Sequence, residues 1–409
     1  MSDLKTALPE RPSLEHLKKQ AKQLLEAARD SEPSALSQLV EVARESTSAR
    51  PTLANAQHAL AHRYGFSSWL NLKAEVLRRQ AAQLASEPLP SDRELRMDLV
   101  DRALDEHDDE ALRILLQRDP SLAEGWGDRR PLARAAEGDR AQAIDLLLDA
   151  GATLEPKHSY HHPPFSWAVT THSFAAAERL LARGAELDLW CAAGLGMVQR
   201  LPEFFDAQGS VLPGASRYGS TRFDAQGQVL PKPPLDPRDI VSDALSVASR
   251  NGQLEAARYL LERGADPSFE GFNRTPALHW AAFSGNSAVV ALLLAHGADP
   301  EQRDGTYHCR YRQFAVRNAV EWSWLSALQR ALAGDATLAN EHDASWGPPL
   351  HVAAERGLDD HVEALLVSGA NPNALDASGQ SALERAQRAE NASARARVVS
   401  LLEAARVAP

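Results

Sequence analysis

The chain has few sulfur-containing residues. Its 409 residues include two cysteines and three methionines, and Cys191 and Cys309 form no Cys-x-x-Cys motif. A disulfide framework is therefore excluded, and a reducing compartment is the expected location. The chain also lacks a signal-peptide-like start and any apolar run of about 18 residues, so we expect a cytoplasmic protein without a membrane partner.

An excess of positive charge is missing as well. The sequence has 55 acidic residues against 44 lysines and arginines, which gives a formal net charge of -11. A protein that binds nucleic acid would show a basic stripe or patch. We therefore expect no nucleic-acid partner.

Sequence signatures of common enzymes are also absent. The chain has no GxSxG, P-loop, HExxH, GxGxxG or EF-hand motif. His158, His161 and His162 stand close together, but no thiolate or carboxylate lies near them at ligand spacing. We expect no metal and no cofactor, and a non-enzymatic role is favoured while catalysis stays open.

What the sequence does contain is a step of 12 residues, from a turn glycine to a Gly-Ala pair. The step runs from Gly252 to Gly264, from Gly285 to Gly297 and from Gly357 to Gly369. Such self-similarity indicates one small supersecondary unit that is stacked many times, because a single copy cannot bury its own apolar face. Residues 93–409 are therefore predicted to form about nine helix pairs, each with an alanine-rich inner helix and a leucine-rich outer helix.

Two segments carry the repeat most fully: residues 275–285, TPALHWAAFSG, and residues 347–357, GPPLHVAAERG. Both resemble the ankyrin repeat, whose motif runs Thr-Pro-Leu-His-x-Ala-Ala-x-x-Gly; the first has one inserted residue. The resemblance implies an all-α ankyrin-type solenoid over residues 93–409. It also implies a protein-interaction scaffold or adaptor, whose unknown protein partner binds in a concave groove.

Residues 1–90 differ from the repeats and predict a separate helical module. Leu14, Leu17, Ala21, Leu24 and Leu25 share one face of a helix that Ser13 can cap. Further helices are expected over residues 34–45 and 53–63. A fourth is expected from residue 69, with four residues facing inward: Trp69, Leu70, Leu72 and Val76. This module is similar to the helical segment that precedes the repeats of many bacterial ankyrin proteins, so a bacterial source is expected.

An irregular insertion at about 209–241 interrupts the array. It overlaps a near-duplicate, FDAQGSVLP at 205–213 and FDAQGQVLP at 223–231. Insertions of this length in a compact array are usually functional or disordered. The duplication predicts two antiparallel hairpin arms that extend or gate the groove, although a decorative surface loop is an open alternative.

Aromatic residues mark the expected binding surface. In ankyrin repeats the β-hairpin fingers and the two positions before the mid-repeat glycine face the groove. These positions give the predicted binding residues: Trp126, Tyr160, His161, His162, Phe272, Phe283, Tyr307, Trp322, Trp346 and Arg356. Rings mixed with arginine dominate interface energies. Packing of Phe283 and Trp322 on the next repeat stays open, whereas Trp126 and Trp346 are expected to be exposed.

The alternative is an enzyme or small-molecule binder on the same scaffold. Its pocket would lie between the groove, the 158–162 finger, the 209–241 insertion and the irregular 304–314 segment. The titrating groups would be Glu321, Asp304 and either His308 or His161, and the anion clamp would be Arg310 or Arg312.

Overall fold

The computed structural model describes residues 6–30, 32–43, 52–126, 129–154, 163–224, 226–342 and 346–407. The chain divides into two compact units, Met1–Pro156 and Lys157–Pro409. In the described residues the regular structure is helical, and no helix there is long and apolar enough to cross a bilayer. The boundary expected near residue 90 is not tested by this division and stays a prediction.

The described residues of the first unit form eight α-helices. They are α1 (Leu14–Arg29), α2 (Pro33–Ala43), α3 (Leu53–Arg63), α4 (Trp69–Ser86), α5 (Arg93–Glu106), α6 (Asp109–Arg118), α7 (Pro131–Glu137) and α8 (Ala141–Asp149). The amide of His16 donates to the Ser13 hydroxyl at the start of α1, as the sequence predicts. Helix α5 packs on α7 and α6 packs on α8, so α5–α8 form two stacked helix pairs.

One inward-facing residue of α4 was predicted wrongly. Leu72 and Val76 are fully buried, but Leu70 is 73% exposed. Leu72 and Val76 are four residues apart and therefore share a face, whereas Leu70 is about 200° away from Leu72 around the helix.

The part of the second unit that the structure describes has thirteen α-helices. They are α9 (Pro164–Thr170), α10 (Phe174–Ala182), α11 (Leu189–Gly194), α12 (Pro237–Arg250), α13 (Leu254–Glu262), α14 (Ala277–Phe283), α15 (Ser287–Ala295), α16 (Tyr311–Glu321), α17 (Leu325–Gly334), α18 (Pro349–Glu355), α19 (Asp359–Val367), α20 (Ala382–Ala386) and α21 (Ala392–Val407). The 3₁₀ helix Val198–Phe204 takes the outer position after α11. With the two pairs of the first unit, the described residues form the nine expected helix pairs.

Small residues let the inner helices of the second unit approach closely. Inner helix α11 packs on both α9 and α12, and a Cβ added to Gly194 would lie 2.4 Å from Cγ1 of Val169. The side-chain amide nitrogen Nδ2 of Asn251 donates to the carbonyl oxygens of Val169 (2.8 Å) and Gly194 (2.9 Å). One side chain therefore links three successive helix pairs.

The insertion forms the two hairpins that its duplicated sequence predicts. Phe205 pairs with Val211, and Phe223 pairs with Val229. Each hairpin turns at a glycine with positive φ. In the first, the Asp206 carboxylate accepts backbone amides from Gln208 (2.9 Å) and Ser210 (2.8 Å), and the second repeats this pattern. The insertion is thus a tandem of two fingers with no helix pair between them.

Two buried carboxylates fix the segment that joins these fingers. Asp188 caps α11 through the amide of Cys191, and its other oxygen accepts the amides of Arg217 (2.8 Å) and Tyr218 (2.9 Å). Asp243, 1% exposed on α12, accepts the amide of Ser220 at 2.8 Å. The insertion is therefore tied to the inner helices.

Two histidines of the repeat motif connect inner helices to the next finger. Nε2 of His279 donates to the carbonyl oxygen of Cys309 at 3.1 Å. Nε2 of His351 donates to the carbonyl oxygens of Ala374 and Gln380, each at 3.1 Å. Burial lowers the pKa of both imidazoles, so both are neutral donors at pH 7.

Trp346 corrects an expectation from the sequence. It was predicted to be an exposed contact residue, but it is 6% exposed and belongs to the core around α16 and α18. Its indole Nε1 donates to the Glu321 carboxylate at 3.1 Å, and the Arg317 guanidinium lies 5.8 Å from the ring centroid. The turn before α18 folds the ring inward, so Trp346 is a structural residue.

The lowered pKa values of His279 and His351 predict a pH-dependent stability. Below about pH 6.5 these histidines bind protons in the unfolded chain more readily than in the folded protein. The free energy of unfolding therefore decreases as the pH decreases. Between pH 7.5 and 5.5 the free energy of unfolding should therefore fall, and each of the two histidines should contribute to the fall. Urea unfolding followed by circular dichroism should show a shallower pH slope for His279→Gln/His351→Gln. The exposed His342→Gln is the control, and an unchanged slope in the double variant would refute this role.

Burial of Trp346 predicts a large loss of stability on truncation. Trp346→Ala removes a buried ring and should cost about 3–5 kcal/mol of unfolding free energy. Trp322 is 62% exposed, so Trp322→Ala should cost less than about 1 kcal/mol. The measurement is urea unfolding of both variants, and equal midpoints would contradict the burial of Trp346.

Candidate functional site

A cleft of about 510 Å³ lies within the second unit, and its walls are the inner helices and fingers. Helices α9, α11, α12, α14 and α16 each contribute to it, as do the insertion and two fingers. The lining residues are Trp167, Thr170, Thr171, Trp190, Ser220, Thr221, Arg250, Phe272, Asn273, Thr275, Trp280, Phe283, Thr306, Tyr307, Phe314, Asn318, Trp322 and Trp324. Nine of these side chains are aromatic, and none is a carboxylate.

The inner wall of the cleft is a cluster of rings in edge-to-face and tilted contact. Trp280 is its centre: its ring centroid lies 5.3 Å from that of Phe314 and 5.9 Å from those of Phe272 and Phe283. Phe314, Trp280 and Phe283 are buried. Such ring pairs are favourable beyond the apolar area that they bury, so this wall is pre-formed.

Two tryptophans form the exposed rim. Trp322 and Trp324 follow α16 and stack with their centroids 6.0 Å apart and their planes at 28°. They are 62% and 49% exposed. The Trp322 indole N–H donates to the Tyr307 hydroxyl at 3.0 Å, and the Trp324 ring lies 6.2 Å from that of Phe283. The rim rings are therefore both exposed and held in place.

The insertion supplies part of the opposite wall. Ser220 and Thr221 line the cleft next to the finger residue Asn273. The backbone N–H of Asn273 donates to the Thr221 carbonyl oxygen at 3.2 Å. Asp243 fixes the Ser220 amide from behind. The hydroxyls at this wall thus lie on a segment that α12 positions.

Arg250, the last residue of α12, brings a cation to the cleft. Its guanidinium carbon lies 4.9 Å from the centroid of the Trp280 ring. Desolvation lowers the pKa of Arg250 to about 10, so the side chain stays charged at neutral pH. The cleft therefore combines aromatic walls with a positive charge.

Four of the predicted binding residues meet in this cleft: Phe272, Phe283, Tyr307 and Trp322. Phe283 is 7% exposed and packs on its neighbours, so it contributes to the wall rather than to the rim. Tyr160, His161 and His162 lie outside the described residues. Trp126 belongs to the first unit, where it is 51% exposed and stacks under the Arg93 guanidinium at 4.7 Å.

Arg356 does not line the cleft. Its guanidinium donates to the carbonyl oxygens of Val320 (2.8 Å) and Glu321 (2.7 Å) at the end of α16. It also pairs with the Glu321 carboxylate at 3.6 Å. Arg356 thus caps a helix, and this contact explains its position better than partner binding does.

The groups considered for catalysis do not converge on the cleft. The buried Asp304 carboxylate accepts the backbone amides of Thr306, Tyr307 and Cys309 and therefore closes its own turn. Glu321 is engaged by Trp346 and Arg356. The remaining candidates among the described residues also lie off the cleft lining: the exposed His308, Arg310 paired with Glu301, and Arg312 paired with Asp335 and Glu341.

Sequence reasoning missed Arg250 and the cleft role of Trp190 and Trp280. Arg250 lies two positions before Gly252, the same position that Phe283 occupies before Gly285. That rule could have identified Arg250. Trp190 and Trp280 are 4% and 8% exposed, so they are core residues that also line the cleft.

Comparison with known proteins supports the repeat interpretation. Residues 234–304 match the family described as ankyrin repeats (3 copies), and residues 348–377 match the ankyrin repeat. The human ASB11 ankyrin repeat domain aligns with a TM-score of 0.28 and 18% identity over 69% of this chain and 100% of its own.

Curated relatives match over parts of their length. Palmitoyltransferase AKR1 of Lachancea kluyveri is 48% identical over 59 residues, which are 14% of this chain and 8% of that protein. Cyclin-dependent kinase 4 inhibitor B of Bos taurus is 38% identical over 118 residues, which are 28% of this chain and 84% of that protein. The chain therefore spans a small part of the transferase and most of the inhibitor. On the two family matches and the match to the inhibitor, the chain belongs to the ankyrin repeat family.

Proposed function

We propose that a protein partner docks on the rim of the cleft, with Trp322 and Trp324 as its central anchors. The observation that carries this proposal is a stacked pair of exposed indoles next to a concave aromatic wall. Large exposed rings are uncommon on surfaces without a partner, and tryptophan is enriched among the residues that dominate binding energy.

The rim is suited to binding because it is already ordered. The hydrogen bond from Trp322 to Tyr307 and the packing of Trp324 on Phe283 hold both rings before a partner arrives. A surface that is fixed in advance loses little conformational entropy on docking. The stacked inner helices behind it are equally fixed, which favours scaffold behaviour.

The cytoplasmic location and the bacterial source of the protein are proposed from the sequence. The two cysteines are in no disulfide, which agrees with the reducing cytoplasm. The relatives named above are eukaryotic, and the bacterial source inferred from the N-terminal module stays a prediction.

Removal of the rim rings should weaken the partner and leave the fold intact. A protein that co-purifies with the full chain is isolated, and its affinity is measured by calorimetry. Trp322→Ala/Trp324→Ala should weaken binding by about 30-fold, or about 2 kcal/mol, with little change in the melting temperature.

The matched control is Val367→Ala, which truncates an apolar side chain that is 83% exposed at the end of outer helix α19. This variant should bind as the wild type does. An affinity of the double variant within threefold of the wild type would place the docking surface elsewhere.

A further inference from the structure

The charge at the cleft has no partner of opposite sign in the described part of the chain. No ion pair or hydrogen bond joins the Arg250 guanidinium to another described residue, and its cation–π contact with Trp280 leaves its N–H groups unused. By contrast, Arg312 pairs with Asp335 and Glu341. The guanidinium of the half-buried Arg250 therefore has N–H groups at the cleft that an anion can accept from.

The walls around Arg250 indicate the chemistry of the rest of a ligand whose anionic group pairs with this arginine. Aromatic rings supply most of the lining, and the polar groups there are hydroxyls and amides. The indole Nε1 of Trp280 is buried and has no acceptor among the described residues. The cation with its unused N–H donors and the flat apolar walls fit a ligand that has a single carboxylate on a planar apolar body.

The size of the cleft also fits a small molecule. Its volume of about 510 Å³ lies within the range of about 300–1,000 Å³ that is typical of small-molecule sites. It is assembled from five inner helices, and the insertion closes part of its wall. The site is thus built by the array itself and needs no partner chain to complete it.

We propose that this cleft binds a small aromatic carboxylate, whose carboxylate accepts hydrogen bonds from Arg250 and whose ring lies among the indoles of Trp190 and Trp280. A bidentate arginine–carboxylate pair in a desolvated site gives both affinity and orientation. The inference goes beyond docking of a protein on the rim and does not depend on it, since the ligand occupies the interior of the cleft.

Isothermal titration of the full chain with three probes tests the charge and the ring separately. Indole-3-acetate carries both features, indole-3-acetamide lacks the charge, and acetate lacks the ring. Indole-3-acetate should bind at least tenfold more tightly than either of the other two. Equal affinities for indole-3-acetate and indole-3-acetamide would overturn the role of Arg250.

Arg250→Met keeps the apolar stem and removes the charge. It should weaken indole-3-acetate by at least tenfold and leave indole-3-acetamide unchanged. Arg258→Met, at an exposed arginine of α13 that pairs with Glu255, should bind as the wild type does. Unchanged affinity of Arg250→Met for indole-3-acetate would contradict the proposal.

The melting temperature separates a binding role from a structural role. Because the guanidinium has no ionic partner to lose, Arg250→Met should melt at the same or a higher temperature than the wild type. A fall of more than about 5 °C would show that the charge stabilises the fold and would overturn the assignment.

Titration with a peptide distinguishes a free small molecule from the C-terminus of a protein as the source of the carboxylate. A tetrapeptide that ends in tryptophan with a free C-terminus presents the same chemistry as part of a polypeptide. Tighter binding of indole-3-acetate than of this peptide supports a free small molecule. Tenfold tighter binding of the peptide would assign the cleft to the C-terminus of a protein and would overturn the small-molecule proposal.

Discussion

Close contact between inner helices is the constraint on which the second unit depends. A short helix pair cannot bury its own apolar face, so each pair must pack against the next. Alanine at the helix centres and Gly194 between Val169 and Val247 allow the backbones to approach until little space is left. Asn251 then joins the carbonyl oxygens of two neighbouring helices. Small residues and shared backbone hydrogen bonds together make the stack continuous.

Large side chains on these same helices line the cleft. Trp190 lies on α11 and Trp280 in the middle of α14, and both helices also bury alanines. The two rings are buried and line the cavity as well. The same inner helices therefore supply both the packed core and the walls of the cleft.

Much of this organisation follows from the sequence. The 12-residue step predicts the helix pairs, and the duplicated segments at 205–213 and 223–231 predict the two hairpins, because periodicity and turn residues act locally. Trp346 shows the limit: a glycine-flanked turn gives no information on the direction in which its ring folds. Leu70 fails for a related reason, since an apolar residue beside the buried face was taken as part of it.

The cleft itself was only partly predictable. The rule for groove-facing positions finds Phe272, Phe283, Tyr307 and Trp322, which the structure brings together. It does not reveal that Asp304 and Arg312 are satisfied by their own neighbours, because those contacts join residues that the repeat pattern treats as independent. Arg250 stands at a groove position in the sequence, but its lack of a counter-ion is a property of the assembled fold.

The tandem fingers have a consequence for how this array can be altered. Each hairpin closes on its own aspartate, through Asp206 in one and Asp224 in the other, and neither requires a helix pair of its own. The tip of each finger is therefore closed locally, and it can be lengthened or exchanged at this point while the helices stay in register. Because Ser220 and Thr221 lie between the two hairpins, such exchanges would reshape one wall of the cleft without disturbing the layer that keeps the protein folded.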